Sequence, residues 1–154
     1  MKLTTLCLAI KDGKVLLAMK KRGFGMGKWN GCGGKVEEGE EIPIAAAREM
    51  REEVGLFAEP ANISKVGDIK FHFLDNPGWN QHMHVFLVKD WQGEAQESEE
   101  MKPQWFDVKD IPFDAMWPDD KHWLPMVLAG KKIEGRFDFV NEGAQIDGYD
   151  IREI

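Results

Sequence analysis

Residues 33 to 56 read GGKVEEGEEIPIAAAREMREEVGL. Two glycines precede seven glutamates, three of which surround a methionine and an arginine near the end. From Glu41 the pattern is helical: Pro43 suits a first turn, Ala45, Ala46 and Ala47 are strong helix formers, and Gly55 can end the helix. Residues three and four apart share a helix face, so Glu49, Glu52 and Glu53 are expected to send their carboxylates to one side. Met50 and Val54, with Ala46 and Ala47, fall on another side and can pack on a sheet. Three like charges so close repel one another, so something positive belongs there. Arg48, one turn before Glu52, would supply part of it in an ordinary helix laced with surface ion pairs. The neighbouring glycine segment and Glu40 argue for more, because they bring backbone carbonyls and another carboxylate to the same helix. Oxygen ligands without Cys or His select a hard cation such as Mg²⁺ or Mn²⁺, and magnesium usually meets its substrate through phosphates.

Upstream, Leu3 to Ile10 and Val15 to Met19 read as strands joined at Asp12-Gly13, a strong hairpin signal. The basic loop KKRGFGMGKWNGCGG, Lys20 to Gly34, follows; ordering so much glycine is entropically costly, which points to a working loop. Beyond the helix, Ile63 to Leu74 and His82 to Val88 read as strands around a turn at Asn76-Pro77-Gly78. Gly93 to Met101 is an acidic loop, Gln104 to Val108 a short strand and Asp119 to Leu128 a second helix. Ile133 to Val140 and Gln145 to Ile151 read as final strands around Asn141 to Gly143. The order predicts an α/β (α+β) domain over residues 1–154, a mixed central sheet interrupted by two helices.

The spacing from Gly34 to Glu40, and then Arg48-Glu49-Met50-Arg51-Glu52-Glu53-Val54-Gly55-Leu56, matches the Nudix box Gx5Ex7REUxEExGU at every defined position. The chain therefore resembles the Nudix hydrolases. The resemblance implies an α/β/α sandwich with a loop-helix-loop active site and Mg²⁺-dependent hydrolysis of a nucleoside diphosphate linked to another group, with Mn²⁺ a possible substitute. By that similarity Glu49, Glu52 and Glu53 would hold the metal together with the carbonyl of Gly33 or Gly34, and Glu100 would join them. Glu53 would activate the attacking water, although the base varies within the superfamily. Arg48 would orient a glutamate, and Glu40 would brace the loop.

Three further stretches are similar to the branch that hydrolyses oxidised purine nucleoside triphosphates. They are KKRGFGMGKWNGCGGK with Lys20, Phe24 and Asn30, ESEEMKPQWF with Glu100 and Met101, and IPFDAMWPDDKHW with Trp117, Asp119 and Asp120. The implied substrates are 8-oxo-dGTP and 2-hydroxy-dATP, cut to monophosphate and pyrophosphate. Thr5, Gly33, Gly34, Lys35, Phe71 and Phe73 complete the expected substrate-binding set.

The chemistry agrees with this resemblance. Trp117 offers a flat face to a purine, the two aspartates can accept from a guanine-like edge, and Asn30 both donates and accepts. A protonated aspartate would also donate, admitting a second oxidised purine in a shifted pattern. The plainer reading of Trp117 to Asp120 is a helix start capped by aspartate. Alternating Phe71 and Phe73 are equally explicable as core, and Lys20 as a solvated lysine. His82 and His84 have the i,i+2 spacing of a strand metal site, but nothing else in the sequence completes one, so they read as structural. The segment DNPGWNQHMH, Asp75 to His84, departs from the branch pattern: it is slightly longer, and Trp79 and Gln81 stand near an expected apolar pocket position.

The bulk composition bounds the alternatives. With 20 basic and 27 acidic residues the net charge is −7, which argues against gripping a nucleic acid polymer and for a small, soluble partner, a polyanionic one needing a bound cation to offset this charge. Cys7 and Cys32 lack zinc spacing and read as reduced thiols. No stretch resembles a signal peptide or a membrane span, so a cytoplasmic monomer is expected. Two other readings stay open at this stage: a Nudix hydrolase for an ADP-sugar, dinucleoside polyphosphate or canonical NTP, and a non-catalytic nucleotide-binding module.

Overall fold

The computed structural model describes residues 1–154. The first hairpin forms where Asp12-Gly13 demands it: β1 (Lys2–Lys11) turns into β2 (Lys14–Lys20) with φ of 53° and 73° at the two turn residues. The two strands pair only at their turn-proximal ends, Ile10 with Val15 and Lys11 with Lys14. Beyond that they diverge, and the glycine segment takes up the freed edge of β1. Cys7 and Cys32 exchange both backbone hydrogen bonds, and the Thr5 N–H donates to the Gly34 carbonyl at 2.9 Å. That close approach requires Gly31 and Gly33 to lack side chains: a Cβ at Gly33 would fall 1.8 Å from the Thr5 carbonyl oxygen, and one at Gly31 2.8 Å from that of Cys7.

The sheet runs β3 (Trp29–Asn30), β2, β1, β5 (Gln81–Val88), β4 (Ile63–Phe73), β7 (Ile133–Val140), β8 (Gln145–Glu153), and β6 (Met101–Asp107) also pairs with β2. β1 with β5 and β4 with β7 are parallel; the other pairs are antiparallel. Helix α1 (Ile42–Val54) covers one face and α2 (Asp120–Leu128) the other. Ala46, Met50 and Val54 of α1 pack with Cys7, Ala9, Leu16 and Phe86, while Trp123, Leu124 and Val127 of α2 pack with Leu6, Leu8, Ile69, Val85 and Phe137. This is a mixed sheet between two helices, with strand periodicity sorting the side chains of each strand between two cores. Gly55 ends α1 in the left-handed region at φ 76°, its N–H donating to the Arg51 carbonyl at 2.9 Å.

The two-residue β3, inside the basic loop, has no periodicity from which to be predicted. The strand expected from Gln104 starts earlier, at Met101, through its ladder with β2. No helix of the structure is long and apolar enough to cross a membrane.

Candidate functional site

Beside Gly33, Gly34 and Lys35, which border a cleft, α1 presents a network centred on Arg48. Its Nε and NH2 donate to the two oxygens of Glu40 at 2.8 and 3.0 Å, a bidentate pair that holds Glu40 down to about 2 by hydrogen bonding. Its NH1 reaches Glu49 at 3.0 Å and Glu52 at 3.3 Å, and its NH2 also donates to the Lys35 carbonyl at 3.1 Å. Glu40 in turn accepts from the Glu37 N–H at 3.0 Å. One guanidinium therefore joins the loop before the helix to two carboxylates on it. With a side chain only 17 % exposed, Arg48 is not the solvated surface pairing that a simple acidic helix would show.

The three helix glutamates do not share one environment. Glu52 is half exposed, whereas Glu53 is 7 % exposed and turned inward to accept from the Gly33 N–H at 3.3 Å. The helix phase explains the division: Glu53 falls beside Ala46 and Met50 on the margin of the buried stripe, whereas Glu52 falls on the opposite side of the helix. Burial, then the charge of Glu49, pushes Glu53 up to about 8, against the Gly33 N–H and the charge of Lys20. Glu49 is also raised, by burial first, with Arg48 opposing. A Cβ at Gly34 would lie 2.5 Å from the Glu49 carboxyl carbon, so the second glycine is what lets that carboxylate lie against the loop.

A buried, raised carboxylate beside a second one, with backbone close at hand, suits a divalent cation, which would stabilise the charged form of both. Glu100, expected among the ligands, is exposed and stands 3.6 Å from Arg22; its charge contributes to raising Glu53.

The cleft itself, about 400 Å³, is bordered by all twelve of the expected substrate residues: Thr5, Lys20, Phe24, Asn30, Gly33, Gly34, Lys35, Phe71, Phe73, Trp117, Asp119 and Asp120. Thr5 has its side chain on the Cys7 face by strand alternation, and it is Thr4 that points toward the cleft side, its hydroxyl 3.3 Å from the Gln81 Oε1. Asn30 spends its Oδ1 on the Gly31 N–H at 2.9 Å, leaving its amide nitrogen for a partner.

At the far end Phe24 lies 5.0 Å from both Trp117 and Trp79, ring centre to ring centre, and Lys28 Nζ lies 5.4 Å over the Trp117 ring. The aspartates do not cap α2. Asp119 accepts from the Trp123 indole N–H at 2.7 Å, and Asp120 Oδ2 is buried without a partner. Burial raises both carboxyl groups, and the charge of Asp119 raises Asp120 further. Trp79 and Gln81 do enter this cleft, as do Phe139, Met83 and Lys28. Phe139 repeats the two-residue alternation of Phe137 on β7, but only the parallel pairing of β7 with β4 shows which of these rings reaches the cleft.

The reading of His82 and His84 as structural rested on the lack of a third ligand, and that premise is corrected: Asp68 of β4 stands with them.

A NUDIX domain model matches residues 2–127. The chain is 50 % identical over 138 residues, 90 % of its length and 86 % of the relative's, to an oxidized purine nucleoside triphosphate hydrolase of Danio rerio. To the protein of the same name in Mus musculus it is 46 % identical over 99 % of its own length and 96 % of the relative's. The fold superposes on a crystal structure of a MutT protein from Bacillus halodurans with a TM-score of 0.85 at 26 % identity, covering 98 % of this chain and 97 % of that one. By the domain match and by these relatives, the chain belongs to the Nudix family.

Proposed function

We propose that the protein hydrolyses oxidised purine nucleoside triphosphates such as 8-oxo-dGTP, and 2-hydroxy-dATP as a second substrate, to the monophosphate and pyrophosphate. One observation carries this reading: a single cleft runs from Gly33 and Gly34, against which Glu53 and Glu49 lie, to an aromatic end with an unpartnered Asp120 oxygen. The names of the Danio rerio and Mus musculus relatives support it.

In this proposal Trp117 stacks on the base, and Asp119 and Asp120 read its edge. Trp123 fixes Asp119 as an acceptor, while Asp120, the more strongly raised of the two, holds a proton and donates. An aspartate pair sharing one proton can meet an edge that mixes donors and acceptors, which is the change that oxidation makes to guanine. Lys20 and Lys35 border the cleft toward the triphosphate, and Asn30 offers its amide N–H groups.

Glu49, Glu52 and Glu53, with the Gly33 carbonyl, would hold a divalent cation, taken here to be Mg²⁺. When bound, the ion supplies charge stabilisation at the phosphates and acidifies water. Arg48 positions Glu49 and Glu52 and ties them to the loop through Glu40. Glu53 takes the proton of the attacking water, which adds to the α-phosphorus as the bond to the bridging oxygen breaks and pyrophosphate leaves. The experiment is pyrophosphate release with Mg²⁺ from 8-oxo-dGTP, 2-hydroxy-dATP, dGTP, dATP, ADP-ribose and a diadenosine polyphosphate. A preference of roughly tenfold or more in kcat/KM for an oxidised purine, about 1.4 kcal/mol, supports the proposal. Equal turnover of dGTP, or activity confined to ADP-ribose, overturns it.

A further inference from the structure

The buried imidazole of His84 has neither ring nitrogen engaged. It lies on the sheet face that carries Phe86 and α1, two residues from His82 on the same face of β5. Asp68 is the register partner of His84 on the antiparallel neighbour β4, so its carboxylate stands on that face too. The three side chains bring one ligand atom each to within 4.8 Å of one another. The imidazole rings are 4.4 Å apart, Asp68 Oδ1 meets His82 Nε2 in a short hydrogen bond, and Asp68 Oδ2 is 3.9 Å from His84 Nδ1. None of the box glutamates belongs to this group.

A plain surface pair between Asp68 and His82, with Lys65 at 3.3 Å from the carboxylate, accounts for those residues. It does not account for His84. A buried imidazole with no protein partner for either nitrogen carries a desolvation cost that a ligand would remove. Burial and the charges of Lys65 and His82 keep His84 on the neutral side, the form that can donate a lone pair. His82 and Asp68 are about a quarter and a third exposed, so an ion has a path to the buried partner.

The geometry points to a second metal site, a His82-His84-Asp68 triad that binds a late first-row divalent cation such as Zn²⁺. Two imidazoles and a carboxylate, with no further protein ligand, are donors for Zn²⁺, Co²⁺ or Ni²⁺ and not for Mg²⁺, so the site is distinct in chemistry from the oxygen-only site on α1. The ion would clamp β4 to β5 just below the turn that carries Trp79 into the cleft. Lys65 opposes it by holding the same carboxylate, which sets an upper bound on affinity.

The test is Zn²⁺ binding by the purified chain in excess Mg²⁺, read by competition with a chromophoric chelator, together with the visible band of Co²⁺, which is strong for a four-coordinate nitrogen and oxygen site. One equivalent is expected to bind. His82→Gln and Asp68→Asn, both at part-exposed positions, should each weaken it by at least about tenfold, the lower end of what losing even an outer partner of a ligand costs. The same two variants should still unfold cooperatively without metal, and Glu53→Gln should bind Zn²⁺ as the parent does. No retained Zn²⁺, or Zn²⁺ lost in Glu53→Gln and kept in the two triad variants, overturns the assignment.

Discussion

The two ends of the cleft are built in opposite ways. At the α1 end the carboxylates are bound to one another through Arg48, which spends its donors on Glu40, Glu49, Glu52 and the Lys35 carbonyl. At the base end the polar groups are few, and one of them, Asp120 Oδ2, has no partner at all. The first end is pre-assembled, which suits a reaction that is the same for every nucleotide. The second leaves buried polarity open, so its cost is relieved only by a ligand with the matching edge. In the proposed function chemistry and choice therefore fall to different residues, and substitutions at the two ends should differ in kind.

The largest effect is expected from Glu53→Gln, which keeps the shape of the buried side chain and removes its basicity. Turnover should fall by roughly 10² to 10⁴, the usual span for a general base, and by the same factor for every triphosphate. Steady-state kinetics on 8-oxo-dGTP and dGTP checks it, and a loss confined to one of them would break the division. Trp117→Ala comes next. Losing a stacking face costs about 1 to 3 kcal/mol, so KM for purine substrates should rise roughly 5- to 150-fold with kcat little changed.

The legibility of the two ends differs for the same physical reason. A metal site on one helix would need ligands at helical spacing, and Glu49, Glu52 and Glu53 stand in one short stretch, so the resemblance could be read directly. What the spacing did not reveal is that Glu53 turns inward, which depends on where the sheet lies. The base end is assembled from β1, the glycine loop, β4, the following turn and the start of α2, so its residues are contiguous only after folding. Trp117, Asp119 and Asp120 were visible as an unusual cluster, but whether they cap α2 or face a ligand depended on Trp123 taking up Asp119. Asp68 could not be joined to His84 from sequence, because the register of β4 against β5 shifts at a bulge between Lys65 and Gly67.

A smaller effect sharpens the comparison at Asp119. Asp119→Ala removes the acceptor of the buried Trp123 indole N–H and should destabilise the fold by about 1 to 3 kcal/mol, measured by denaturant unfolding. The smallest effect is expected from pH. Both aspartates are raised, so between their ordinary range and the raised one the folded pair holds a proton that the unfolded chain has released. Their contribution to stability therefore falls as pH rises through that window. Binding of the oxidised purine should weaken in the same direction as the donor is lost, whereas Asp120→Asn, which donates at any pH, should flatten that limb of the kcat/KM profile.

The most direct test of the separation is the ratio of kcat/KM for 8-oxo-dGTP over dGTP, measured by pyrophosphate release for the parent and for Asp120→Ala, which removes both the donor and the acceptor. The ratio should be roughly tenfold or more in the parent and move toward one in the variant, with dGTP turnover itself kept within a few fold. A variant that loses both substrates equally would place Asp120 in the common machinery and contradict the account.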